Sequence, residues 1–190
     1  MKKIATHNSA TSEKPKNFLS WLLIPFCRTQ SKTIKEQYEA GCRYFDLRIK
    51  RSGGVWHLAH GPYITKKTFV EVLEEINSFE EACYVIVTYE GKLDTQEKKD
   101  QFVEELSLFQ RNNPKIKWGP TAVKYTNDDL VVDWEELLPA TCEWPECRKA
   151  FLGLDGTIWQ TYLPIPWLWK QFYFKNVEFN SDYYQMVDFL

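Results

Sequence analysis

Cys42-Arg43-Tyr44-Phe45-Asp46-Leu47-Arg48-Ile49 is the stretch on which the reading of this chain turns. Taken as a strand, it puts Phe45, Leu47 and Ile49 on one face and Tyr44, Asp46 and Arg48 on the other. One face is ready to enter a hydrophobic core. The other carries an acid and an arginine that need partners. Just upstream, Thr33 with Glu36 three residues later forms a capping box, which opens a helix. That helix ends at Gly41, a natural residue for the position after a helix end. Downstream, Gly53-Gly54 makes a turn, and residues 55–59 return as another strand.

Working outward, residues 4–6 read as a short strand running into the polar turn His7-Asn8-Ser9. Residues 17–27 hold Phe18, Trp21, Leu22, Leu23, Ile24 and Phe26 between polar neighbours. Thr65 is expected to cap a helix carrying Phe69, Val72, Leu73 and Ile76 on one stripe. Residues 84–89 form a β-branched apolar run, read as a buried strand. Asp94 and Glu97 resemble a capping box for a second long helix with Phe102, Val103, Leu106 and Phe109 inward and Pro114 beyond its end. Strands alternating with long helices imply parallel strands and an α/β fold. The second half is less regular: helical turns at 134–138, a strand at 149–154, a loop around Pro164 and Pro166, and a last strand at 183–189.

A length of 190 residues is expected to form a single domain, 1–190, with a real core. Hydrophobic residues at 44% exclude disorder, and a net charge of −2 gives no reason to expect a nucleic-acid partner. Aromatic residues reach 16%, with eight Trp, which serves both a core and a boundary between water and an apolar phase. Five cysteines at wide spacing do not form a disulfide framework. Cys42 and Cys83 read as packing residues, and Cys142 with Cys147 lack the further soft ligands of a zinc site. The start, Met1-Lys2-Lys3, has the charge of a signal peptide without an apolar stretch behind it. No run of about 18 apolar residues crosses a membrane. A soluble monomer is expected, in the cytoplasm or secreted after loss of a signal.

Three polar residues stand at what read as strand ends: His7 after the first strand, Arg48 in the second, and His60-Gly61 after the third. A lone histidine is usually structural. Three such residues converging at strand ends are hard to explain by packing, because parallel α/β folds gather their active sites there. Two imidazoles can act as general base and general acid near neutral pH, and an arginine can hold a phosphate oxygen.

Thr6-His7-Asn8-Ser9, Gln37, Gly41-Cys42-Arg43-Tyr44-Phe45-Asp46-Leu47-Arg48 and His60-Gly61 together resemble the catalytic X domain of phosphatidylinositol-specific phospholipase C. Val85-Ile86-Val87-Thr88-Tyr89-Glu90 fits that family's next core strand, and Met186-Val187-Asp188-Phe189 its last. The resemblance implies a TIM-type (β/α) barrel, shortened and irregular in its second half, since a full barrel needs about 250 residues. It implies His7 as general base, His60 as general acid and Arg48 as holder of the phosphate. Asp188 would orient His7; an exposed acid near the chain end is the other reading. Asn8, Asp46 and Glu90 would be calcium ligands in the animal branch. In the metal-independent bacterial branch an arginine stands at the position of Arg48, and a guanidinium cannot ligate a cation. No cofactor is therefore expected, with Arg48 held between Asp46 and Glu90. The bacterial pattern has an aspartate at the place of Asn8, partnering the general acid.

Two residues and one segment stay open at this level. His57 is read as lying on the same strand side as His60 and backing it, or as a plain solvent-facing histidine. Lys92 contacts a substrate phosphate or is a solvated loop lysine. Trp21, Leu22, Leu23 and Phe26, with Trp167 and Trp169, insert at a lipid surface, or this segment merely covers the barrel. The implied activity is cleavage of a phosphoinositide or related lipid at a membrane surface. The alternatives are a phosphodiesterase acting on another lipid or a glycerol phosphodiester, and a lipid-binding module without catalysis. Asp46-Leu47-Arg48 lacks the Glu-x-Asp pair that glycerophosphodiesterases use for metal, which counts against that substrate.

Overall fold

The computed structural model describes residues 4–123 and 185–187. Its centre is β2 (Cys42–Ser52), the strand of the opening quotation, three residues longer than expected. β1 (Ile4–Thr6) lies parallel on one side of it and β5 (Tyr84–Tyr89) parallel on the other. β6 (Lys117–Val123) continues parallel beyond β5. β7 (Gln185–Val187), the last strand of the described residues, is parallel to β1 and pairs Thr6 with Val187. Last strand beside first strand is the neighbour relation of a (β/α) barrel. The expected barrel-type α/β fold is therefore seen in its first half, and the expectations at 134–138, 149–154 and around Pro164 lie outside the described residues.

The alternation on β2 holds. Phe45, Leu47 and Ile49 are fully buried in the main core, against Val72, Leu73 and Ile76 of α4 (Phe69–Ser78) and Phe102 and Leu106 of α5 (Gln96–Asn112). Tyr44, Asp46 and Arg48 take the other face. Because β2 is long, its outer end has room for an antiparallel hairpin partner, β3 (Val55–His60), with Ile49 opposite Leu58 and Ser52 opposite Val55. Gly53 and Gly54 link them with φ of 63° and 78°, the left-handed pair that a tight hairpin turn requires and glycine supplies without strain. A further strand, β4 (Tyr63–Thr68), pairs antiparallel with β3. Sequence reading missed it, because Lys66, Lys67 and Thr68 lack an apolar alternation.

The helix starts need two corrections. Thr65 does not cap α4. It lies inside β4, where its hydroxyl donates to the Leu58 and Lys67 carbonyls. Thr68 is the cap, in a complete capping box with Glu71. α5 is capped by Thr95 rather than Asp94, which instead pairs with Lys98 at 2.6 Å. The Thr33–Glu36 box of α3 (Ile34–Glu39) forms as expected, and Gly41 follows it at φ 99°. Cys27, Cys42 and Cys83 are buried; burial pushes the thiols of Cys42 and Cys83 up to about 12 and about 11, consistent with packing roles. No helix of the described residues is long and apolar enough to cross a membrane.

Leu73 is fully buried between α4 and the sheet. Leu73→Ala should lower the unfolding free energy by about 2–5 kcal/mol, and Thr68→Ala by about 1 kcal/mol through loss of the cap. Urea denaturation followed by circular dichroism measures both.

Candidate active site

The turn after β1 is held by a buried polar lattice. Asn8 sits in the left-handed region at φ 46°, which asparagine tolerates better than most residues. Its N–H donates to Asp46 Oδ2 at 3.1 Å, so the turn is tied to β2. Its carbonyl accepts from Thr11 N–H at 3.0 Å and the Thr11 hydroxyl at 2.9 Å. The Ser9 hydroxyl donates to the Thr6 carbonyl at 2.8 Å. This is the local reason that His7 is presented at the end of β1.

Arg48 reaches across to His7. One guanidinium nitrogen donates to His7 Nε2 at 2.8 Å. A guanidinium only donates, so Nε2 is the acceptor and a neutral His7 carries its proton on Nδ1. The same side chain pairs with Glu90 at 3.3 Å and lies 3.6 Å from Asp46. Glu90 has no exposed side-chain surface, and Arg48 is 21% exposed. At such spacings each charge pair is worth about 4 kcal/mol at an effective dielectric of ~20, offset by the cost of desolvating three ions. The Asp46–Arg48–Glu90 arrangement expected from the sequence is thus present, with His7 added to it. His7 Nε2 is also 3.8 Å from Asp46 Oδ2.

His60 reaches the same neighbourhood by a route the sequence reading did not foresee. β3 is antiparallel to β2, so His60 does not sit at a parallel strand end. It lies two residues beyond the last β2–β3 pair, Ile49 opposite Leu58, and within electrostatic reach of Arg48, His7 and Glu90. Its Nδ1 is 2.8 Å from the carbonyl of Cys27, which can only accept, so Nδ1 donates and Nε2 is left to exchange a proton. Burial lowers the pKa of His60 below the ordinary imidazole value, with Arg48 and His7 lowering it further and Glu90 opposing them.

Several sequence expectations are relocated. Asn8 stands where the resemblance implies an aspartate partnering the general acid. Its amide instead lies by His7, 3.1 Å from Nε2. His57 is tied to a different partner from His60, whose ring bonds the Cys27 carbonyl. His57 Nε2 meets Lys16 Nζ at 2.9 Å, and burial and Lys16 lower its pKa. Lys92 is exposed. Asp188, Trp167 and Trp169 lie outside the described residues.

The segment after the His7 turn forms two short helices, α1 (Phe18–Leu22) and α2 (Ile24–Cys27). Phe18 is 73% exposed and Trp21 58%, with Leu19, Leu22 and Phe26 also open to solvent, while Leu23 is half-buried. A group of large apolar side chains left in water at one place marks a docking surface. α1 is fastened to β4 through the Ser20 hydroxyl, which accepts the Ile64 N–H at 3.0 Å.

Sequence reasoning missed Thr11, Thr29 and Gln30. Thr29 and Gln30 each donate to the His7 carbonyl at 3.1 Å, and Thr11 accepts the N–H of both. Their only signal was polarity straight after an apolar run. Asp46 and Glu90, the acids for which the resemblance implies a calcium role in the animal branch, here flank the Arg48 guanidinium. Among the described residues no three His, Cys, Asp or Glu side chains gather as a metal site.

The charges acting on His60 give a testable sign. Arg48→Gln removes a neighbour that disfavours the imidazolium, so the His60 pKa should rise; Glu90→Gln removes one that favours it, so the pKa should fall further. Titration of the His60 ring by NMR reads both.

No protein-family model matches the chain. A stretch of 62 residues is 36% identical to 1-phosphatidylinositol phosphodiesterase of Listeria monocytogenes, covering 32% of this chain and 19% of that protein. Among solved structures, the phosphatidylinositol-specific phospholipase C of Listeria monocytogenes superposes with a TM-score of 0.47 at 20% identity, over 65% of this chain and 51% of that one. A variant of the Staphylococcus aureus phospholipase C superposes with a TM-score of 0.46 at 17% identity, over 74% and 55%. The chain spans about half the length of those structures. The resemblance read from its histidines, Arg48 and the strands around them is borne out: the chain is similar to the bacterial phosphatidylinositol-specific phospholipases C.

Proposed function

We propose that this chain is a metal-independent phosphodiesterase that cleaves phosphatidylinositol-type lipids into diacylglycerol and a cyclic inositol phosphate. The observation that carries the reading is the contact of Arg48 with His7, 2.8 Å, inside a pair of buried carboxylates and beside His60. Charge for a phosphate and two imidazoles for protons stand together there.

The chemistry follows from these atoms. A phosphodiester anion entering the site draws the guanidinium toward a non-bridging oxygen, which uncovers the lone pair of His7 Nε2. His7 then takes the proton of the inositol 2-hydroxyl. The resulting oxygen attacks the phosphorus next to it, an intramolecular step with a low entropic cost. The bond from phosphorus to the glycerol oxygen breaks, and His60 Nε2 delivers a proton to that oxygen. Arg48 stays with the negative charge that builds on the phosphoryl oxygens. Asp188 is proposed, as the resemblance implies, to orient the protonated nitrogen of His7. The exposed residues Trp21, Leu22 and Phe26, with Leu23 behind them, support docking of this rim on a lipid surface.

The test is incubation with phosphatidylinositol vesicles in EDTA, with phosphorus NMR of the products. Cyclic inositol phosphate should appear, and His7→Ala and His60→Ala should each lower kcat by about 10²–10⁴. No turnover with or without calcium would leave a lipid-binding module, a reading that the neutral partner and lowered pKa of His60 favour. In sedimentation with the same vesicles, the double variant Trp21→Ala/Leu22→Ala should bind at least about tenfold more weakly, since each apolar side chain buried is worth about 1.5–3 kcal/mol.

A further inference from the structure

One short segment, Cys27 to Gln30, touches both histidines. At its start the Cys27 carbonyl accepts the Nδ1 proton of His60 at 2.8 Å. Two and three residues later, the Thr29 hydroxyl and the Gln30 amide both donate to the His7 carbonyl at 3.1 Å. Thr29 and Gln30 are themselves buried and locked by Thr11, which accepts both of their N–H groups at 3.0 and 3.1 Å. Arg28 adds a brace, donating through its Nε to the Gln30 carbonyl at 2.9 Å.

The other end of this segment is the exposed apolar rim. Cys27 is the last residue of α2, and its N–H closes that helix on the Leu23 carbonyl at 3.0 Å. Phe26, immediately before it, is exposed. The Cys27 carbonyl shares its rigid peptide plane with the Arg28 N–H, which donates to the Ile24 carbonyl of α2 at 3.0 Å, so a rotation of α2 also swings that carbonyl. The carbonyl thus occupies the orienting role that a carboxylate would otherwise fill for a general acid.

We infer that Cys27–Gln30 is a positioning strap, through which the lipid-facing helices set the tautomer and aim of His60 while the same strap holds the His7 turn. The inference rests on the proposed roles of the histidines and the rim, and gives them a mechanical link. An interface that seats α1 and α2 sharpens the Cys27–His60 bond and keeps Nε2 pointed at the leaving oxygen. Cys27, Thr29 and Gln30 are positioning residues in this scheme: Cys27 acts by its main chain, so its side chain is replaceable. The charged groups that bear on His60 from the neighbouring elements are Arg48, His7 and Glu90, and none of them lies on the strap.

The test uses nitrogen-15 NMR of the His60 ring in the full chain, with and without phosphatidylcholine bicelles, which offer an interface but no inositol phosphodiester. Neutral His60 should carry its proton on Nδ1, and bicelles should shift the Nδ1 resonance and the His60 pKa in the parent protein. Both shifts should vanish in Trp21→Ala/Leu22→Ala, whose replaced side chains are exposed. Arg28→Pro, which deletes the N–H bonded to Ile24 and displaces Cys27 from helical geometry, should mix the two His60 tautomers. An Nε2–H tautomer in the parent, or a His60 spectrum unmoved by bicelles that do bind, overturns the inference. Should Arg28→Pro fail to fold, the bicelle comparison decides alone. None of these readouts needs turnover, so an inactive protein with a responsive His60 removes the proposed reaction and leaves the strap intact.

Discussion

Arg48 brings a full positive charge into the face of a sheet whose opposite face is pure hydrocarbon. That placement constrains everything near it. A guanidinium so little exposed must be neutralised, and Asp46 and Glu90 do this from β2 itself and from the residue after β5. Asp46 has a second task, because it also accepts the N–H of Asn8 and so fixes the turn that carries His7. One strand with period two thus supplies both the core through Phe45, Leu47 and Ile49 and the site through Asp46 and Arg48.

The site is assembled by two different kinds of force. The carboxylates and Arg48 are held by charge. The histidine turn is held by uncharged hydrogen bonds among Thr6, Ser9, Thr11, Thr29 and Gln30, almost all buried. Buried networks of this kind are stable only when nearly complete, since each unmet polar group costs about 1–3 kcal/mol. The consequence is a difference between the two histidines: the His7 main chain is tied at several points, whereas the His60 ring is bonded to a carbonyl at the edge of an exposed helix pair. The apolar rim and the chemistry meet at that carbonyl.

Elements with a strong local signal were legible in the sequence. The Thr33–Glu36 cap, the Gly53-Gly54 turn, the stripe of α4 and the alternation of β2 all depend on neighbours in the chain, and all appear. β4 and β6 were missed. Their side chains do not alternate, and their strand character comes from pairing with β3 and β5, which no local window contains. The cap was put at Thr65 because a threonine before an apolar stripe looks the same whether it opens a helix or ends three residues short of one. His57 is close to His60 in sequence, but its buried contact with Lys16 comes from a distant part of the chain.

What the sequence determined by itself was the kind of chemistry available: two imidazoles, one guanidinium and two carboxylates. These follow from residue identity and from the period of a strand, which are local properties. Tertiary structure alone decided which atoms face each other. It gave Asn8 to His7 rather than to His60, folded β3 back antiparallel to β2 so that His60 comes within reach of Arg48, and set the main-chain carbonyl of Cys27 on His60. A carbonyl is present at every residue, so its use leaves no mark in the sequence; only the path of the chain selects it.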